Sequence, residues 1–112
     1  MYDYKSQQNQ FRKLLEDGSN PVKLLLKLES ETLASGSPTG EASVALYTGL
    51  AADLSADVLP AASAHADKLL VILNLDATYT VAVGAIDLGT ATGAWVGYSD
   101  GTAWRTVYTN GT

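Results

Sequence analysis

Apolar and polar residues alternate in short runs along most of this chain. Val22, Leu24, Leu26 and Leu28 interleave with Lys23 and Lys27, a period of two that predicts a half-buried strand over 22–29. Asn20 as a cap, Pro21 in the first turn and Leu25, which breaks the alternation, support a helix over the same residues. Residues 42–47 predict a short strand. Residues 68–75 are almost continuously apolar, the pattern of a strand buried on both faces. Asp76-Ala77-Thr78 then turns the chain, and the alternating residues 79–83 predict a strand that pairs back as a hairpin. Residues 84–93 read as a loop anchored by Ile86 and Leu88. The Ala-rich stretch 49–66 suits a helix through Leu50, Leu54, Val58 and Leu59, which Pro60 would limit.

Two near-copies of one phrase close the chain. Ala94-Trp95-Val96-Gly97-Tyr98-Ser99-Asp100-Gly101 is followed by Ala103-Trp104-Arg105-Thr106-Val107-Tyr108-Thr109-Asn110-Gly111. Each is an aromatic strand ended by a hydroxyl residue and Asp-Gly or Asn-Gly, dipeptides that tolerate the positive φ of tight turns. The pair predicts one aromatic hairpin turning at Ser99-Asp100-Gly101-Thr102. In regular alternation Trp104 and Tyr108 share a face, and Tyr98 lies opposite Trp95.

Helical spacing is clearest over residues 4–16. Phe11, Leu14 and Leu15 stand at i, i+3 and i+4, Asp3 can cap the start, and Asp17-Gly18 offers a stop. Gln7, Gln8, Asn9 and Gln10 leave its first half polar, so such a helix needs something to pack against. Five or six strands in about 80 residues, with few helices, give a mainly β fold, a small antiparallel β-sandwich or barrel with a short N-terminal helix or arm. Three parts are expected: an N-terminal helix and anchoring arm (1–34), a flexible Ser/Gly/Pro loop (35–41) and a β domain (42–112).

Composition narrows the function. At 112 residues the chain holds one domain with an extension. Charged residues make up 17%, against roughly 25% in an average domain, which points to a surface that a partner covers. The net charge of −5 is uneven. Five bases and three acids in residues 1–28 give +2, whereas two bases and nine acids in residues 29–112 give −7. A basic head on an acidic body suggests that the head meets an acidic surface. An acidic body repels phosphates, so no nucleic-acid partner is expected. No membrane association is expected either, because no apolar run approaches the length of a span and the N-terminus lacks a signal-peptide core. The absence of cysteine removes disulfides, thiolate metal sites and a Cys nucleophile.

Chemistry-bearing constellations are weak. His65 is the single histidine, and Ser63 and Asp67 stand too near it in sequence to converge as a triad. A zinc site would have to gather Asp57, Asp67 and Asp76 with His65. Asp53, Asp57, Asp76, Asp87 and Asp100 lack Ca²⁺-loop spacing and read as turn formers. Gly84, Gly89 and Gly93 are too scattered for a phosphate loop. No enzyme activity, cofactor or metal is expected. Trp95, Tyr98, Trp104 and Tyr108, with Tyr47 and Tyr79, are left as core, as a subunit contact or as a sugar-stacking platform.

The phrase Gly97-Tyr98-Ser99-Asp100-Gly101-Thr102-Ala103-Trp104-Arg105-Thr106-Val107 resembles a hairpin recurrent in bacteriophage tail-fibre and head-fibre subunits. Leu50-Ala51-Ala52-Asp53-Leu54 and Val58-Leu59-Pro60-Ala61-Ala62 are similar in style to small head-fibre and capsid-decoration proteins. The resemblance implies a non-enzymatic virion protein, made in the host cytoplasm and placed on the capsid surface, that often trimerises. Its expected partners are the major capsid protein or another virion protein, its own copies, and a host surface glycan. Tyr4, Phe11, Arg12, Leu14 and Leu15 are the candidate docking residues; Trp95, Tyr98, Trp104 and Tyr108 are the candidate interface or glycan-facing residues. The alternatives are a tail-fibre or baseplate subunit and a small carbohydrate-binding module.

Overall fold

The computed structural model describes residues 29–112. The helix expected over 4–16, nearly all of the element expected over 22–29, and the docking residues Tyr4, Phe11, Arg12, Leu14 and Leu15 lie outside them.

The described chain is mainly β. Seven strands run in the order β1 (Ser30–Leu33), β2 (Val44–Tyr47), β3 (Leu69–Asn74), β4 (Val81–Val83), β5 (Ile86–Leu88), β6 (Gly93–Ser99) and β7 (Trp104–Thr109). A single 3₁₀ turn, Ala62–Ala64, precedes β3. Five strands form one sheet in the order β1-β2-β3-β6-β7, and β4 and β5 form a separate hairpin.

The pairing is mixed, whereas the sequence suggested antiparallel strands throughout. β1 to β2 and β2 to β3 are parallel; β3 to β6 and β6 to β7 are antiparallel. Parallel neighbours need a long return path, usually helical. Here irregular chain over 34–43 and 48–68 supplies it. The second return crosses the inner face of the sheet, where Leu54 bridges Val81 and Val58 N–H donates to the Ala82 carbonyl at 3.0 Å.

Because β1 is a sheet strand, residues 35–40 connect two paired strands rather than separating an arm from the body. Tyr47 Oη donates to the Gly36 carbonyl at 2.6 Å, and Thr39 donates to Glu31 through its N–H and hydroxyl.

The core lies between the inner face of the sheet and the β4–β5 hairpin. Ala45, Tyr47, Leu70, Ile72 and Trp95 come from the sheet, Val81, Val83 and Leu88 from the hairpin, and Leu50 and Val58 from the loop. Burial holds the Tyr47 phenol well above its ordinary pKa. The strand over 79–83 does not pair back on β3, whose two edges are already taken by β2 and β6. The Asp76 carboxylate accepts N–H groups from Thr78, Tyr79 and Leu50 at 2.8–2.9 Å, and the chain leaves the sheet for the second layer. There it pairs with Ile86–Leu88, expected as loop.

Asn74 fastens the layers together. Fully buried at the end of β3, its amide donates to the carbonyls of Tyr79, Leu88 and Gly89 at 2.9, 3.3 and 2.9 Å. Its Oδ1 accepts Asp76 N–H at 3.1 Å.

Candidate interaction surface

The closing hairpin forms as its turn residues require. Asp100 Oδ1 accepts the N–H groups of Thr102 and Ala103, both at 2.8 Å, and Gly101 takes φ +88°, which a Cβ would oppose. Those two bonds, with Arg105 beside the other oxygen at 2.8 Å, pull the Asp100 carboxyl down from 3.8 to about 2. Asn110-Gly111 is not a turn. Asn110 instead clamps the start of β6, accepting Ala94 N–H at 2.8 Å and donating to the Thr92 carbonyl at 3.0 Å.

The four aromatics expected at an interface divide between the two faces. Trp95 is 1% exposed, and its Nε1 donates to Thr106 Oγ1 at 2.9 Å. Its indole lies across Gly97, in space that any Cβ there would occupy. Trp104 meets Trp95 edge-on at 6.1 Å between ring centroids and donates from Nε1 to the Pro60 carbonyl at 2.7 Å. Trp95 is therefore a core residue and Trp104 packs on the core, so the two do not form a solvent-facing platform. Tyr98 and Tyr108 lie on the outer face, 37% and 58% exposed.

Trp104 and Tyr108 thus sit on opposite faces, where strict alternation would place them together. A bulge is the cause: opposite Val96 and Gly97 the register steps from Tyr108 to Thr106, and Val107 is the extra residue. Val107 is 67% exposed on an edge strand with no strand on its other side among the described residues. The only charge on β7, Arg105, is held by Asp100.

The outer face of the five-stranded sheet is the larger feature. The register places Val44, Leu46, Leu69, Val71, Leu73, Ala94, Val96 and Tyr98 on it. Leu69 is 58% exposed, and Val71 and Leu73 are half-buried. The apolar run 68–75 is therefore covered on the inner face, while among the described residues no second layer covers its outer face. Tyr98 Oη donates to Asp67 at 2.6 Å, which raises the phenol's pKa by favouring its protonated form.

Residues proposed for catalysis or metal binding are dispersed. His65 packs against Gly40 and Trp104, and its Nδ1 is buried without a partner. Asp67 serves Tyr98, Asp57 accepts Leu59 and Gly84 N–H, Asp53 accepts Thr80 N–H, and Asp76 caps its own turn. Two shallow hollows of about 290 and 320 Å³ share Asp53, Leu54 and Ser55 as walls. Among the described residues, no three His, Cys, Asp or Glu side chains gather, and no helix is long and apolar enough to cross a membrane. No protein-family model, curated protein or solved structure matches the chain.

Proposed function

We propose that this chain is a non-enzymatic structural subunit that assembles with protein neighbours through the open β7 edge. From the resemblance of its hairpin, the assembly we propose is a bacteriophage particle whose capsid surface it decorates; a tail-fibre or baseplate role would use the same edge. The observation that carries the reading is Val107, exposed on an edge strand whose only charge is held by Asp100. Edge strands in solitary domains are guarded by charge, proline or a bulge that turns the strand away. Here the bulge presents an apolar side chain, Val107, beside Tyr108. Aromatic and aliphatic anchors of this kind are what protein contacts are built around. A sugar platform is less well supported, because Trp95 and Trp104 are engaged on the inner face.

Self-association tests the reading. The full chain should sediment as an oligomer, a trimer on the family resemblance, at micromolar concentration. Val107→Lys adds an edge charge at an exposed position and should give a folded monomer. A wild-type chain that stays monomeric throughout, or a Val107→Lys variant that assembles as well as wild type, would refute assembly through this edge.

A further inference from the structure

The two closing phrases share a device that neither the hairpin turn nor the β7 edge accounts for. In each, a hydroxyl residue, an Asx residue and a glycine stand in a row: Ser99-Asp100-Gly101 and Thr109-Asn110-Gly111. In each, the hydroxyl oxygen accepts the glycine N–H, Ser99 Oγ at 3.2 Å and Thr109 Oγ1 at 3.0 Å. That glycine nitrogen is the atom through which an Asx-Gly sequence reacts with itself. When free, it attacks the carbonyl carbon of the preceding side chain and closes a succinimide ring. Glycine favours the reaction because it has no side chain to hinder the approach.

The two copies differ in how ready that carbon is. Asp100 carries an ionised carboxylate, held by two backbone N–H groups and by Arg105, and a carboxylate is a poor acceptor for a nucleophile. Asn110 carries a neutral carboxamide, whose carbon accepts more readily and whose nitrogen can leave as ammonia. Asn110 is also exposed, so water and base reach it.

The fold keeps both reacting groups of Asn110-Gly111 from this course. Asn110 Oδ1 accepts Ala94 N–H at 2.8 Å, and its Nδ2 donates to the Thr92 carbonyl at 3.0 Å, which fixes the plane of the carboxamide. The main chain is pinned on either side: Asn110 N–H donates to the Ala94 carbonyl at 3.2 Å, and Thr112 N–H donates to the Asp87 carbonyl at 3.0 Å. A Cβ on Gly111 would lie 2.7 Å from both that Asp87 oxygen and the Ile86 side chain, so residue 111 has little room to turn. Ring closure needs the carboxamide to rotate and the Gly111 N–H to leave Thr109. Most of these bonds lie where the end of β7 meets the start of β6.

We propose that Asn110 is a latent modification site: it converts to aspartate and isoaspartate when the end of β7 detaches from β6, and Thr109 with the Asn110 clamp holds it unreacted while they stay joined. The Gly111 nitrogen gives its proton to water or hydroxide and bonds to Asn110 Cγ. The Cγ–Nδ2 bond breaks, and Nδ2 takes up a proton and leaves as ammonia. Water then opens the ring, giving aspartate by attack at Cγ and isoaspartate by attack at the main-chain carbonyl carbon. Either product ends the donation to Thr92, and isoaspartate also lengthens the main chain. The conversion is therefore a one-way record of opening at this corner of the sheet. It does not depend on assembly through the β7 edge, which the Val107→Lys variant tests alone.

Trypsin cuts after Arg105 and releases residues 106–112, in which Asn110 is the single amide side chain, so mass spectrometry reads the site directly. The full chain is incubated at mildly alkaline pH, folded and in guanidinium chloride. The unfolded chain should convert at least about tenfold faster than the folded one and give both products. Thr109→Ala removes the acceptor for Gly111 N–H and a bond to the Ala94 carbonyl. It should speed conversion of the folded chain by about threefold or more and leave the unfolded rate unchanged, while Thr109→Ser keeps the wild-type rate. Trp104→Phe weakens the same hairpin at its other end and should not change the folded rate. Equal rates in the folded and unfolded wild type, a Thr109→Ala rate equal to wild type, or an acceleration by Trp104→Phe as large as that by Thr109→Ala would each overturn the proposal.

Discussion

Replacing Asn74 tests what holds the two layers together. Its amide has two hydrogens for three carbonyls, so the 3.3 Å contact to Leu88 shares a hydrogen with one of the 2.9 Å contacts. Asn74→Ala removes these donors and the acceptor for Asp76 N–H. A hydrogen bond contributes about 1 kcal/mol net, and a buried group left without a partner costs about 1–3 kcal/mol. The groups do not suffer equally. Leu88 lies opposite Val81 in the β4–β5 ladder, so its carbonyl keeps a backbone partner, whereas Gly89 is exposed and Tyr79 half-buried, so water can reach theirs. The bonds lost at three carbonyls and at Asp76 N–H, at about 1 kcal/mol each and partly compensated, give a loss of roughly 2–4 kcal/mol. For a domain of this size, that lowers Tm by about 10–25 °C. Urea unfolding of the full chain followed by circular dichroism measures it, with the m-value as the control for two-state behaviour. Asn74→Asp should lose still more at neutral pH than at pH 3, because an ionised carboxylate would face carbonyl oxygens and Asp76. A loss below about 1 kcal/mol for Asn74→Ala, with m unchanged, would refute the claim that this side chain ties the layers.

Three further outcomes follow from the hairpin. Asp100 has its folded pKa drawn from 3.8 to about 2, so its stabilising effect is complete above about pH 4 and is lost as pH falls toward 2. Asp100→Asn should flatten the fall in Tm across that window, read by thermal melts from pH 5 to pH 2. Gly97→Ala puts a methyl group into the space of the Trp95 indole, which burial and its bond to Thr106 hold in place; urea melts should show a loss of about 1–3 kcal/mol. Trp104→Phe removes the donor to Pro60 and should cost about 1–2 kcal/mol, while the remaining Trp95 emits as a buried indole.

Local chemistry made the hairpin legible. Asp100-Gly101 has one low-cost use between two aromatic strands, and it is used that way. β2 and β3 were legible from apolar runs bounded by turns. The partners of strands were not, because a period of two says which residues share a face and nothing about the neighbour. Alternation therefore points residues 79–83 to β3, their neighbour in sequence, and carries no sign of the parallel β1-β2-β3 ladder. Ile86–Leu88 is three residues long, too short to show a period. At the surface, the exposure of Tyr108 and the burial of Trp104 turned on one extra residue, Val107, in an otherwise regular alternation. The continuous apolar run of β3 pointed to burial on both faces, whereas among the described residues the second layer covers only one of them.

Hydrogen exchange as a function of concentration tests the assembly claim most directly. If neighbours pack on the β7 edge, amides within Trp104–Thr109 should gain protection as the full chain is taken from nanomolar to high micromolar concentration. Those of the central strand Leu69–Asn74, already paired on both edges, should not change. An oligomer that forms while β7 exchanges at one constant rate, with protection gained elsewhere, would contradict the account.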